Sequence, residues 1–291
     1  MAEDMGAISL RLSGSGSLKL DRVCFSALER DGEPTRLVDD CSFIARRGEF
    51  TVLIGPSGCG KTTLMKLAAG YLAPGAGTIE LDGVPVMGPG SDRLLVFQET
   101  ALFPWMTTLE NVVYGPMVQR RKSLSEIRDE ASSLLDKVGL GDFKNRYPRE
   151  LSGGMQRRAE LARALINDPL VLLMDEPFRG LDAMTRQLMQ EYLAGLFEKT
   201  RTTTIFVTSE IDEAIFLADR LVVLKRSPTS VACEMSVDLP RPRKMDMLLG
   251  DEATRIKKAA LDLLYTEAVS DFESGGQVSD IKEAYERRHA I

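Results

Sequence analysis

One segment constrains this chain more than any other. Gly55-Pro56-Ser57-Gly58-Cys59-Gly60-Lys61-Thr62 fits G-x-x-x-x-G-K-[ST], the pattern of a phosphate-binding loop. Its flanks agree. The apolar run from Phe50 to Ile54 reads as a buried strand, and Leu64-Met65-Lys66-Leu67-Ala68-Ala69 reads as a helix ended by Gly70. The chemistry needs strand, loop and helix in that order. Glycines let successive backbone N–H groups curl around a phosphate, and the helix N-terminus adds the positive end of its dipole. Lys61 is then placed to reach the β- and γ-phosphates and the Thr62 hydroxyl to ligate Mg²⁺, with Thr63 beside it. A glycine-rich turn that matched by chance would lack these flanks.

Two further segments narrow the chemistry. Leu151-Ser152-Gly153-Gly154 reads as a helix start, with Ser152 as N-cap and the helix running from Met155 to Leu165. A helix N-terminus bared by glycine is a good anion site. Leu170-Val171-Leu172-Leu173-Met174-Asp175-Glu176-Pro177 is an apolar strand ending in acids. Asp175 should project from the carboxyl edge of a parallel sheet, where ligands bind in open α/β folds, and hold Mg²⁺ through water. Glu176 is the natural group to orient or deprotonate a water attacking the γ-phosphate. Without the upstream loop, both would read as ordinary solvated acids.

Together these segments resemble the ATP-binding cassette family, over roughly Leu18 to Arg243. The resemblance implies an α/β fold: a P-loop NTPase (RecA-like) core with an antiparallel β subdomain and a helical insertion at about 102–165. It implies ATP and Mg²⁺ as cofactors. It implies a head-to-tail dimer in which Ser152, Gly153 and Gly154 cap the γ-phosphate of ATP held by the other subunit. It gives Gln98 a place at Mg²⁺ and the attacking water, in a loop that meets a membrane subunit, and puts Asp182 in a loop across the dimer. Phe25 or Ala27 holds the register of an adenine-stacking aromatic, and Phe25 is the residue with a ring. Within the family the chain is similar to importer ATPases for nitrate, sulfonates and taurine, through Val96-Phe97-Gln98-Glu99, Phe103-Pro104-Trp105, Ile211-Asp212-Glu213-Ala214-Ile215-Phe216 and Leu239-Pro240-Arg241-Pro242-Arg243. The implied partners are transmembrane permease subunits, a second cassette and, indirectly, a solute-binding protein. The implied location is the cytoplasmic face of the cell membrane, held there peripherally.

Composition is compatible with this and excludes rivals. The 44% hydrophobic content suffices for a core, and the formal charge of −6 argues against a nucleic-acid surface. Cys24, Cys41, Cys59 and Cys233 show no C-x-x-C spacing and read as reduced thiols. No apolar stretch approaches the roughly 18 residues that span a bilayer. A soluble cassette ATPase acting on DNA or ribosomes is disfavoured by the single cassette and the missing coiled-coil insertion.

Along the chain, residues 1–17 read as a flexible tail, 18–243 as the cassette and 244–291 as a C-terminal extension. Strands are expected at Leu18–Phe25, Leu37–Ile44, Thr78–Leu81 and Leu94–Phe97, with a turn at Asp31-Gly32-Glu33-Pro34. Helical periodicity covers Thr107 to Leu165. In the extension, Ile256, Ala259, Ala260, Leu263 and Leu264 share one helical face, and Ser274-Gly275-Gly276 interrupts that helix. Trp105 reads equally as an interface aromatic or a core residue.

The pattern breaks in three places. The family carries a histidine after the strand Thr204–Val207, in V-T-H-D. This chain has Val207-Thr208-Ser209-Glu210, and its one histidine is His289. Arg179-Gly180-Leu181-Asp182 stands for the usual G-A-L-D. Gln156-Arg157 reverses the usual order after the signature glycines. Two readings are open: an ATPase slowed by Ser209, or a degenerate cassette that binds ATP and dimerises with little turnover, paired with an intact one.

Overall fold

Short, wholly apolar strands make the centre of the molecule. The computed structural model describes residues 16–28, 34–120, 122–226 and 228–274, with side chains described to residue 266. In chain order the elements are β1 (Leu18–Leu28), β2 (Pro34–Ala45), β3 (Phe50–Ile54), α1 (Lys61–Ala68), β4 (Ala76–Leu81), β5 (Val84–Pro85), β6 (Arg93–Val96), α2 (Thr108–Gln119), α3 (Leu124–Lys137), α4 (Gly153–Leu165), β7 (Val171–Asp175), α5 (Ala183–Thr200), β8 (Thr203–Thr208), α6 (Ile211–Leu217), β9 (Arg220–Leu224), β10 (Val231–Ser236) and α7 (Asp251–Ser274).

The large sheet has the order β10-β9-β3-β8-β7-β6. Strands β3, β7 and β8 are buried along their whole length, as expected of parallel strands covered on both faces. Because β6, β7, β8, β3 and β9 run parallel, their carboxyl ends share one edge. The phosphate loop, Asp175, Ser209 and Gln98 all leave the sheet there. One face of the sheet (Phe50, Val52, Leu172, Met174, Phe206) packs under α4, α5 and α6. The other face (Leu53, Leu173, Ile205, Val222) packs with α1 and the antiparallel sheet β2-β1-β4-β5. Each large apolar side chain closed off in this way contributes about 1.5–3 kcal/mol, which fixes the strand order firmly.

The helical stretch read from Thr107 to Leu165 forms α2, α3 and α4. Capping boxes start the first two, Thr107 with Glu110 and Ser123 with Glu126. Gly139, at φ 70, ends α3 in the left-handed region. α1 begins at Lys61, earlier than Leu64, because Gly60 at φ 93 feeds straight into it.

Two expectations are corrected. Residues 16 and 17 are not part of a loose tail: the Gly16 N–H donates to the Leu170 carbonyl at 3.1 Å and the Ser17 N–H to Asp82 at 2.8 Å. On α7, Ala259 is exposed, and the buried stripe is Ala253, Ile256 and Ala260, with Leu263 and Leu264 half-buried against the core. Residues 1–15, most of the turn at 31–34, residues 275–276 and His289 lie outside the described residues. Among the described residues no helix is long and apolar enough to cross a membrane. Cys41 and Cys59 are buried free thiols, and burial pushes Cys41 up to about 12.

Candidate functional site

The phosphate loop is built by close approach. A Cβ on Gly55 would meet the Cys59 sulfur at 2.9 Å, and one on Gly60 would meet Thr229 Oγ1 at 2.5 Å. Gly58 and Gly60 both have positive φ, which only glycine adopts cheaply. Ser57 and Gly58 are exposed at the tip and Pro56 is half-buried. Lys61 is 6% exposed, and its ammonium donates to the carbonyls of Gly55 and Pro56, each at 2.9 Å. The cation is therefore folded across the mouth of the loop. Thr229, which the sequence did not suggest, pegs the loop by donating its hydroxyl to the Cys59 carbonyl.

Asp175 closes β7 at 3% exposure, and its Oδ1 is buried without a hydrogen-bond partner. Burial pushes its carboxyl up, while the Thr62 hydroxyl donates to it and pulls it down. A buried carboxylate with one oxygen unmatched, bonded to a threonine from the phosphate loop, is a donor set that suits a small hard cation. The residues present fit Mg²⁺. Glu176 follows at φ 42, an uncommon conformation for a non-glycine residue. Its N–H donates to the Val207 carbonyl at 2.9 Å, and its carboxylate pairs with Arg179 at 3.1 Å.

Beyond the carboxyl ends of β7 and β8 lies a cavity of about 40 Å³, lined by residues that include Glu176, Arg179, Thr208, Ser209 and Glu213, room for a water or two. Ser209 is exposed at its edge. Behind it Glu213 is 5% exposed, pushed up by burial and pulled down by bonds from Thr208 and Gln190. Sequence reading quoted Glu213 only within a segment that carries the resemblance and gave it no role, because its partners Thr208 and Gln190 come from other elements.

Ser152 caps α4 as expected, accepting the Met155 N–H at 3.3 Å. Gly153 is exposed, and Gly154 is buried where a Cβ would meet Thr185 at 2.7 Å, so this glycine also lets α4 and α5 touch. Asp182 caps α5 by accepting the Thr185 N–H at 3.0 Å, and hydrogen bonds from the Thr185 hydroxyl and from that N–H lower its pKa. Phe25 is half-buried against the core on β1, and Ala27 is half-buried too, with no ring to offer. Trp105 is 69% exposed, which removes the core reading.

The reversed pair after the signature glycines has a structural consequence. Arg157 is 4% exposed and donates to the carbonyls of Phe97 at 2.9 Å and Gln98 at 2.6 Å and to Glu160 at 2.5 Å. Glu160 in turn accepts the Ala101 N–H at 3.0 Å. Burial opposes both charges, pushing Glu160 up and Arg157 down. Gln98 itself is exposed, so the clamp fixes its backbone and leaves its amide facing solvent. Arg157→Ala leaves the buried Glu160 with the Ala101 N–H and a longer 3.8 Å contact to Arg163 and should cost about 3 kcal/mol, read from the urea midpoint. Glu160→Ala in the same chain should return part of the loss.

The chain is similar to known proteins. The family model described as ABC transporter matches residues 38–179. The nitrate import ATP-binding protein NrtD of Synechocystis sp. is 42% identical over 239 residues, covering 80% of this chain and 86% of that protein. The taurine import ATP-binding protein TauB of Jannaschia sp. is 46% identical over 198 residues, covering 68% and 74%. Among solved structures, the dimeric post-hydrolysis state of the ATP-binding cassette MJ0796, bound to ADP and Pi, aligns with TM-score 0.68 and 28% identity over 77% of this chain and all of that one. With identities of 40% and more over most of such relatives, this chain belongs to the ABC transporter family as an ATP-binding P-loop cassette.

Proposed function

We propose that the chain binds Mg-ATP on the phosphate loop and hydrolyses it at a site completed by a second cassette, driving a membrane permease that imports a small anion. The observation that carries this reading is the pairing of buried Asp175, one oxygen unmatched, with Thr62, beside Glu176 on one sheet edge. The loop from Gly55 to Thr63 would cradle the phosphates, with Lys61 exchanging its carbonyl partners for phosphate oxygens. Asp175, Thr62 and the Gln98 side chain would hold Mg²⁺, which neutralises phosphate charge when bound. Glu176 would take a proton from the attacking water. The water oxygen bonds to the γ-phosphorus, the bond to the bridging oxygen breaks, and ADP leaves with that electron pair. Ser152, Gly153 and Gly154, from an exposed helix N-terminus, would close over the γ-phosphate of the opposite cassette, with Asp182 in the loop alongside. Phe25 would flank the adenine.

Import and an anionic solute are supported by the relatives named for nitrate and taurine import. The permease contact is supported by a groove of about 510 Å³ on α2 and α3, lined by Trp105, Met106, Tyr114 and Met117 among others. Trp105 and Met117 are exposed on it, and it adjoins the loop after Gln98. Residues 18–243 would act as the cassette and 244–291 as an extension docked on it. Through the permease the chain would sit peripherally at the membrane's cytoplasmic face and serve a solute-binding protein indirectly. Co-purification of a permease with the full-length chain, and its loss in Trp105→Glu, tests the assembly; a variant that still co-purified fully would contradict the docking face.

Turnover should be slow, because neutral Ser209 stands at the cavity edge. Ser209→His is expected to raise the single-turnover rate and leave ATP affinity nearly unchanged. An unchanged or lower rate in every assembly would mean that the site works with serine as it stands.

A further inference from the structure

The cavity beside Ser209 poses a charge problem. Its lining holds three carboxylates, Glu176, Glu210 and Glu213, against two guanidiniums, Arg179 and Arg186. Arg186 is taken up within the lining: it pairs with Glu210 at 3.4 Å and donates to the Leu181 carbonyl at 3.2 Å. Arg179 is the cation that meets Glu176, Nη1 to Oε2 at 3.1 Å. Ser209, arriving from another strand end, is neutral. A terminal phosphate entering beside Glu176 meets like charge and needs a counter-charge close by.

The pair is asymmetric in a way that suits such a task. The Glu176 side chain is 11% exposed and that of Arg179 61%, so the carboxylate is enclosed while most of the guanidinium faces the open edge. Among the described hydrogen bonds the Arg179 guanidinium donates one, to Glu176, and its planar fork has further donors for a second anion. The turn holds this geometry. The Arg179 N–H donates to the Glu176 carbonyl at 3.1 Å, and Phe178 between them is 1% exposed. An i,i+3 ion pair whose guanidinium faces solvent contributes little to stability.

We infer that Arg179 is a catalytic residue of this chain, one N–H holding the Glu176 carboxylate and the rest of the fork reaching the γ-phosphate oxygens. The inference rests on the reading of Glu176 as the group beside the attacking water. The bonds made and broken are those already given. Arg179 adds charge that strengthens its hold as the bridging bond breaks.

The test uses full-length protein assembled with its permease and cassette partners. Single-turnover hydrolysis and the affinities for Mg-ATP and Mg-ADP are measured for wild type, Arg179→Ala, Arg179→Lys, Glu176→Gln and Arg179→Ala with Ser209→His. Arg179→Ala should slow hydrolysis about 10²-fold, the low end for removing one charge-stabilising group. It should weaken ATP and leave ADP, which lacks the γ-phosphate, unchanged. Arg179→Lys should lose less, keeping charge without the fork. Adding Ser209→His to Arg179→Ala should recover hydrolysis by more than Ser209→His gains in wild type. A wild-type rate for Arg179→Ala beside an inactive Glu176→Gln would overturn this inference alone. A wild-type rate for Glu176→Gln would overturn the reading beneath it as well. Equal losses of ATP and ADP affinity with no recovery by histidine would assign Arg179 to the turn, against the inference.

Discussion

Glu176→Gln should bind Mg-ATP as wild type does and hydrolyse it about 10²–10⁴-fold more slowly, the range attributed to a positioned general base. The amide has nearly the carboxylate's shape but cannot take the proton. The backbone has little reason to move, because the Glu176 N–H is tied to Val207 on β8 and Phe178 is anchored in the core. Rapid-quench hydrolysis together with equilibrium ATP binding separates the two effects. Wild-type hydrolysis by the variant would remove Glu176 from its role.

Lys61→Ala acts one step earlier. Its ammonium is nearly buried and held by two loop carbonyls, aimed across the mouth where phosphates would enter. Truncating one partner of a buried charge pair costs about 2–5 kcal/mol, and ATP affinity should fall by that amount in calorimetry. The fold should survive, since α1 is anchored by Leu64, Met65 and Leu67 on its far side. A variant that bound ATP like wild type would show that the nucleotide sits elsewhere.

What could be read from the chain was whatever a single segment specifies. The run Phe50–Ile54 is apolar at every position because β3 is covered on both faces, and a run of that kind declares itself. Asp175 and Glu176 were legible for the same reason, as charge at the abrupt end of buried β7. Ser152 announced a helix start because a cap is a local device. The misses are contacts between distant segments. Thr229 pegs Cys59 across 170 residues of chain, and nothing near either residue hints at it. Arg157 reaches Phe97 and Gln98, so a reversed dipeptide legible only as a break in the pattern clamps a loop. On α7 the apolar spacing included Ala259, yet the docked face is set by what α6 and the core offer, and it turns the stripe toward Ala253. Trp105 stayed undecided because an aromatic side chain suits a core or an interface equally well.

The central claim is that the site is finished by a second cassette, with Ser152 to Gly154 of one chain over the γ-phosphate of the other. Light scattering on the full-length Glu176→Gln chain, with its cassette partner where one co-purifies, tests it most directly. With Mg-ATP a stable pair of cassettes holding two nucleotides should form. With Mg-ADP, or when Lys61→Ala is added, single cassettes should remain. Cassettes that bind Mg-ATP tightly yet remain single, or that pair equally well with ADP, would contradict it.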